Sequence, residues 1–152
     1  MAFISSIDVV LWNAPSIGKV LPLLHAAGWQ FWNNQIQSCY FYEIGEEEDF
    51  ATVSPEQWPE LAVLWDEECQ KGKTVQIMYC WREHPDKPVT VWFSRKMEQT
   101  ASLLTVQFIM YPAWKRLCGD ITDYSWYLER LVCPLENGDC GVLDVTCHDE
   151  NS

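Results

Sequence analysis

The side chains best suited to nucleophilic catalysis or zinc binding are those of three histidines and seven cysteines. His25 is flanked by apolar residues, His84 lies next to a proline, and His148 follows Cys147. Neighbours on a strand point to opposite faces, so the Cys147–His148 adjacency is poor evidence for a catalytic pair. The cysteine count is odd and no CxxC pair occurs, which disfavours a zinc site and predicts reduced thiols. A Cys/His pair that meets only in the folded chain stays open.

The carboxylates do not form a recognisable catalytic pattern either. With 22 acidic residues in the chain, chance pairing of two carboxylates is expected and carries little information. The chain contains no glycine-rich phosphate loop, HExxH or GxSxG motif. The segment GEEED (45–49) lacks the alternating ligands of a calcium loop. We therefore predict no catalytic residue, no metal site, no cofactor and no enzymatic activity.

The net charge of the chain favours some classes of binding partner over others. Its formal net charge of −12 over 152 residues opposes binding to nucleic acid or anionic lipid and favours basic partners, although acidity also serves solubility. The first residues, MAFISSIDVVLW, lack the basic region of a secretory signal, and no apolar run has the length of a membrane span, roughly 18–20 residues. We predict a cytoplasmic protein.

Two acidic clusters are the strongest candidates for a functional site. The stretch EIGEEEDF (43–50) contains four contiguous acids, and a second cluster lies where a predicted helix ends, at a small cost against the helix dipole. Aromatic residues beside carboxylates suit a protein-binding hot spot, whereas a solvated loop is the alternative. The predicted partner-binding residues are Glu46, Glu47, Glu48, Asp49, Phe50, Trp58, Asp66, Glu67 and Glu68.

The elements that position these residues follow from apolar periodicity and turn signals. The order strand, helix, two strands, helix, three strands, helix, strand predicts one α+β domain over residues 1–152, with a mainly antiparallel sheet, about three helices and a polar tail at 148–152. Predicted helix starts are Asn13, Ser54 and Thr122 or Asp123. Predicted hairpins join 29–32 to 38–44, and 74–82 to 89–95 around a loop at 83–88.

The layout resembles the small immunity proteins of bacterial polymorphic toxin systems, both contact-dependent and type VI secretion-associated. The resemblance lies in the acidic stretch before a central helix and in the late helix TDYSWYLERLV (122–132), followed by a short strand. It implies a cytosolic, non-catalytic protein that binds one cognate toxin domain. Many such toxins are nucleases with basic clefts, so an acidic inhibitor would occupy the place of phosphate.

The expected function is therefore neutralisation of a basic toxin domain through an acidic and aromatic surface. One alternative is a ligand-binding or enzymatic domain whose aromatic-lined pocket lies among Trp29, Trp32, Trp81 and Trp92. Another is a structural subunit of a larger assembly, which would carry an extensive apolar patch instead of an acidic one.

Overall fold

The computed structural model describes residues 3–32, 41–44, 51–52, 56–98 and 101–151. The strands are β1 (Phe3–Trp12), β2 (Trp29–Phe31), β3 (Phe41–Ile44), β4 (Ala51–Thr52), β5 (Val75–Trp81), β6 (His84–Glu98), β7 (Ala101–Met110), β8 (Arg116–Cys118), β9 (Ile121–Thr122) and β10 (Val142–Asn151). The helices are α1 (Ile17–Ala27), α2 (Trp58–Gln70), α3 (Tyr124–Leu131) and the short α4 (Cys133–Asn137). Within the described ranges, no helix is both long and apolar enough to cross a membrane.

The strands form one eight-stranded sheet and a separate two-stranded hairpin. The sheet order is β10–β1–β7–β6–β5–β3–β4, with β2 also paired to β5, and β8 pairs with β9. Every strand pair in the described residues is antiparallel. The prediction of a single α+β domain with a mainly antiparallel sheet is confirmed.

The core lies between one face of the sheet and the helices. Alternate residues of the central strands are fully buried and lie opposite one another on neighbouring strands. Val106 of β7, for example, lies opposite Val9 of β1 on one side and Phe93 of β6 on the other. The helices add buried apolar side chains to the same cluster, including Trp65 of α2. Burial of this kind stabilises the fold by about 25 cal/mol per Å² of apolar surface removed from water. The other face carries partly exposed side chains, among them Trp92.

One predicted hairpin is wrong, because β2 and β3 do not pair with each other in the described residues. Residues 29–31 lie opposite 81–79, and residues 42–44 lie opposite 77–75. Between them, the Trp32 amide donates to the Met78 carbonyl at 2.9 Å. The two segments therefore lie one after the other along the same side of β5. Both satisfy backbone groups of β5, which a local hairpin would have left unpaired on that side.

Two further expectations about strands are corrected. Most of the predicted loop at 83–88 belongs to β6, which begins at His84 after a two-residue turn. A bulge in this pairing places Pro88 opposite Cys80. The predicted polar tail at 148–152 instead continues β10 as far as Asn151. Its backbone pairs with the start of β1, and the Ser6 hydroxyl lies 2.9 Å from Nε2 of His148. The polar composition of this segment predicts a tail. The sequence does not show its pairing with β1, because β1 lies at the other end of the chain.

The helix boundaries differ from the predicted ones in three places. Ser16, and not Asn13, accepts the capping hydrogen bond of α1, while Asn13 adopts a positive φ of 60° in the preceding turn. Helix α2 begins at Trp58, with Pro59 in its first turn, whereas the predicted cap Ser54 lies outside the described residues. The last predicted helix does begin after the Asp123 cap, but it is interrupted at Val132, where α4 starts with a proline in its first turn.

Candidate functional site

The predicted partner-binding residues fall into two groups. Residues 46–50, which include Glu46, Glu47, Glu48, Asp49 and Phe50, lie outside the described residues. The remaining four, Trp58, Asp66, Glu67 and Glu68, all lie on α2. Their surroundings show that they have different roles.

Asp66 ties three elements of the fold together. Its Oδ1 accepts a hydrogen bond from the Ile17 amide at 2.9 Å, at the first residue of α1, and lies 3.4 Å from Nη2 of Arg95 on β6. The two charged side chains are only 16% and 17% exposed. A carboxylate at a helix N-terminus also stabilises the helix dipole. Asp66 is therefore a structural residue that joins α1, α2 and β6.

Glu68 is neutralised within the chain. Its carboxylate oxygens lie 3.4 Å from Nζ of Lys71 and 3.2 Å from Nζ of Lys73. The hydrogen bond from Lys73, opposed by burial and helped by Lys71, lowers the pKa of the Glu68 carboxyl. These lysines offset the unfavourable placement of an acid at the C-terminal end of α2. That placement is the feature from which the sequence predicts a functional cluster.

Trp58 packs into the fold at the start of α2. It is half-buried, and its ring stands edge-on to His25 at a centroid distance of 5.3 Å. His25 in turn lies 3.0 Å from the Tyr79 hydroxyl through Nε2. Burial lowers the pKa of this histidine, which favours the neutral ring. Trp58 therefore offers only part of its surface to a partner.

Glu67 belongs to an exposed stripe along α2. Helical neighbours three and four positions apart share a face, and Glu60, Val63, Leu64 and Glu67 follow this spacing. Val63 is 61% and Leu64 is 38% exposed, and both glutamates are exposed. No ion pair in the described part of the chain involves Glu60 or Glu67. We call these four residues the outer stripe of α2.

Four tryptophans cluster at one end of the molecule. Trp29 and Trp81, two members of the predicted pocket, contact each other at 5.1 Å between ring centroids. Trp126 lies 5.6 Å from both Trp81 and Trp114. Of the other two predicted members, Trp32 follows β2 and Trp92 lies on the far face of β6. Sequence reasoning missed Trp114 and Trp126, because they come from a connection and a helix that are distant from β2 in the chain.

Basic side chains alternate with these rings. Arg130 lies between two of them, 4.3 Å from the Trp126 centroid and 5.7 Å from that of Trp81. Lys115 lies over the Trp126 ring at 5.1 Å, and Arg82 lies over the Trp81 ring at 5.5 Å. Each cation–π contact contributes about 0.5–1 kcal/mol at exposed sites. Basic side chains thus cover several of these rings, and Arg82 and Arg130 also pair with Glu83 and Glu129.

A third set of side chains gathers around Asp149 on β10. Its Oδ1 accepts hydrogen bonds from three hydroxyl groups, those of Ser5, Thr122 and Tyr124. The distance is 2.6 Å for Ser5 and 3.5 Å for Thr122. Burial acts to raise the pKa of this carboxyl, but the bonds from Ser5, Tyr124 and Thr122 together hold it below its usual value. Burial, followed by the bond to Asp149, raises the pKa of the Tyr124 phenol. The network anchors α3 to the end of the sheet.

This network predicts an acid-sensitive contribution to stability. Because the pKa of Asp149 is lowered in the folded state, its contribution is complete above about pH 4 and is lost as the pH falls through the folded value. Asp149→Asn should have a lower free energy of unfolding than the wild type at neutral pH. This difference in free energy should become smaller in acid. Urea denaturation at a series of pH values measures it, and a gap that stays constant down to strong acid would contradict the assignment.

Among the described residues, no group of three histidines, cysteines, aspartates or glutamates is placed to hold a metal ion. The six described cysteines are free thiols, and Cys69, Cys80 and Cys140 are buried. Burial, with the nearby Asp66 charge, raises the pKa of Cys69 to about 11, which makes it a poor nucleophile at neutral pH.

Comparisons of this chain with protein-family models, curated proteins and solved structures found no match.

Proposed function

We propose that this protein is an immunity-type inhibitor that acts in the cytoplasm and neutralises a basic bacterial toxin domain by binding it through the outer stripe of α2. The observation that carries the proposal is the stripe itself, in which two exposed aliphatic side chains lie between two exposed carboxylates. An apolar centre with a charged rim is the usual anatomy of a protein–protein interface. The class of partner comes from the resemblance to immunity proteins of polymorphic toxin systems.

The charge of the protein supports a basic partner. The chain carries a formal charge of −12, and Glu60 and Glu67 are not neutralised by any ion pair in the described residues. Carboxylates that lack such partners raise the rate of encounter with a basic surface. The acidic segment at 46–50 stays a predicted partner-binding segment. Asp66 and Glu68 support the fold and its local charge balance instead of contacting the partner.

Inhibition would follow from occupying the toxin's substrate cleft. A nuclease-type toxin binds phosphates with basic side chains, and the carboxylates of the stripe would pair with those side chains in their place. Val63 and Leu64 would supply apolar contact that slows dissociation. This mechanism needs no catalytic group on the inhibitor.

A capture experiment with a charge-matched control tests the proposal. Tagged wild-type protein should capture one basic toxin domain from the source cells, and Glu60→Ser with Glu67→Ser should weaken the purified complex roughly tenfold through slower association. The control is Asp144→Ser with Glu129→Ser, which changes the net charge equally at exposed positions on β10 and α3.

Growth rescue gives the functional result. Cells that express the captured domain should stop growing, and co-expressed wild-type protein and the control variant should both restore growth. The stripe variant should restore it less well. Equal rescue by both variants would place the interface elsewhere, and a captured domain with no toxic effect would reject the immunity function.

A further inference from the structure

A concave site lies at the tryptophan end of the molecule, away from α2 in sequence. It is an open pocket of about 430 Å³ between the start of β6 and the connection that follows β7. Its lining residues are His84, Lys87, Pro112, Ala113, Trp114 and Arg116. The volume lies within the usual range for small-molecule sites, roughly 300–1,000 Å³. We call it the Trp114 pocket.

Basic side chains gather at and around the pocket, although the protein as a whole is acidic. Only ten lysines and arginines occur in the whole chain, yet two of them line this pocket and three more contact the adjoining tryptophan rings. Arg82, Arg116 and Arg130 are each paired with a carboxylate, of Glu83, Asp120 and Glu129 respectively. Arg116 is held in place, since its Nε donates to the Ala113 carbonyl and its Nη1 to Asp120, each at 3.1 Å. Lys87 has no ion pair within the described ranges. Its ammonium group therefore remains available to an anion.

Two aromatic rings, those of Trp114 and His84, belong to the lining of the pocket. Trp114 is fixed by the ring of Tyr127 at 5.2 Å and by its own backbone amide, which donates to the Tyr127 hydroxyl at 2.9 Å. The ring of His84 lies 6.0 Å from that of Trp114. Pro112 and Ala113 add apolar side chains to the lining. Aromatic walls beside an available cation favour a ligand with a flat body and an anionic end.

We propose that the Trp114 pocket binds an aromatic anion, a planar ring that carries a carboxylate or phosphate group. The ring lies against Trp114, and the anionic group pairs with Lys87 and with the Arg116 guanidinium. This inference does not depend on the inhibitor function, because it uses none of the residues of the outer stripe of α2.

Indole N–H resonances provide a local probe for the test. The Nε1 of Trp114 is buried without a hydrogen-bond partner in the described structure, so its resonance should respond to a ligand against the ring. Trp114→Phe identifies that resonance. Trp92, on the far face of the sheet, is the internal control. The probes are adenosine 5′-monophosphate and 2-naphthoate, and their neutral counterparts are adenosine and 2-naphthol.

At least one anion should shift the Trp114 resonance saturably and leave Trp92 unchanged, while the neutral counterparts do not. A response to the nucleotide alone indicates a phosphate ligand, and a response to naphthoate alone indicates a carboxylate. Lys87→Gln should weaken binding roughly tenfold, as loss of a charge-assisted contact does, whereas Lys71→Gln should not. No saturable shift at millimolar concentration, equal binding of the neutral compounds, or undiminished binding by Lys87→Gln would overturn the proposal.

Discussion

Replacement of Asp66 by alanine is expected to lower the free energy of unfolding by about 2–4 kcal/mol. The substitution removes the acceptor for the Ile17 amide at the start of α1 and the ion-pair partner of Arg95, whose charge is largely buried. The Nε of Arg95 already lacks a partner in the described structure, so the variant leaves the guanidinium still less satisfied. Urea denaturation followed by circular dichroism measures the loss.

The adjacent residue provides the matched control. Glu67 is exposed and belongs to the outer stripe of α2, so Glu67→Ala should change the free energy of unfolding by no more than about 0.5 kcal/mol. The two variants remove the same charge from neighbouring positions of one helix. Similar stability losses for both would contradict the division of this acidic cluster into a structural and a surface residue.

Gly28→Ala is expected to destabilise the protein by about 3 kcal/mol. Gly28 ends α1 with a φ of 121°, which costs a residue with a side chain about 1–2 kcal/mol. A Cβ there would also lie 2.6 Å from the Trp81 ring, and overpacking of this kind costs about 1–3 kcal/mol more. Trp81 cannot move freely, since Trp29 and Trp126 pack against it. Denaturation measures the total, and near-ultraviolet circular dichroism reports on the tryptophan cluster.

Gly72→Ala separates the two causes. Gly72 has a comparable positive φ of 88°, but nothing lies within 4 Å of the position that a Cβ would occupy. Only the backbone cost of about 1–2 kcal/mol should appear there, with the tryptophan signal unchanged. If the two alanine variants lost equal stability, the contact between Gly28 and Trp81 would not constrain the fold.

Local patterns in the sequence predicted the elements that depend on local physics. Apolar residues at helical spacing located α1, α2 and α3, and the Asp123 side chain caps α3 by accepting from the Trp126 amide. The pairing of β2 and β3 with the same side of β5 was not predictable in this way, because their partner residues on β5 are more than thirty residues away. The strand character of 148–151 likewise depends on β1 at the other end of the chain.

The same distinction explains the candidate sites. The sequence does not show that Asp66 of the second acidic cluster is paired, because its partner Arg95 lies 29 residues further along the chain. The pairing of Glu68 with Lys71, in contrast, is a local i,i+3 contact that the sequence does display. The tryptophan end combines rings and cations from several elements of the fold. No sequence motif therefore indicates the cluster or its pocket. Glu60, Val63, Leu64 and Glu67 follow helical spacing, but only the fold shows that the two aliphatic side chains among them are exposed.

The most direct test of the proposed function is the rate constant for association with the captured toxin domain, measured by stopped flow at about 20 mM and about 500 mM salt. The wild type should associate roughly tenfold more slowly at high salt, because screening removes the attraction between the carboxylates and a basic cleft. The Glu60→Ser, Glu67→Ser variant should already be slow at low salt and should respond less to added salt. A variant that associates as fast as the wild type at low salt would show that the outer stripe of α2 does not guide the encounter.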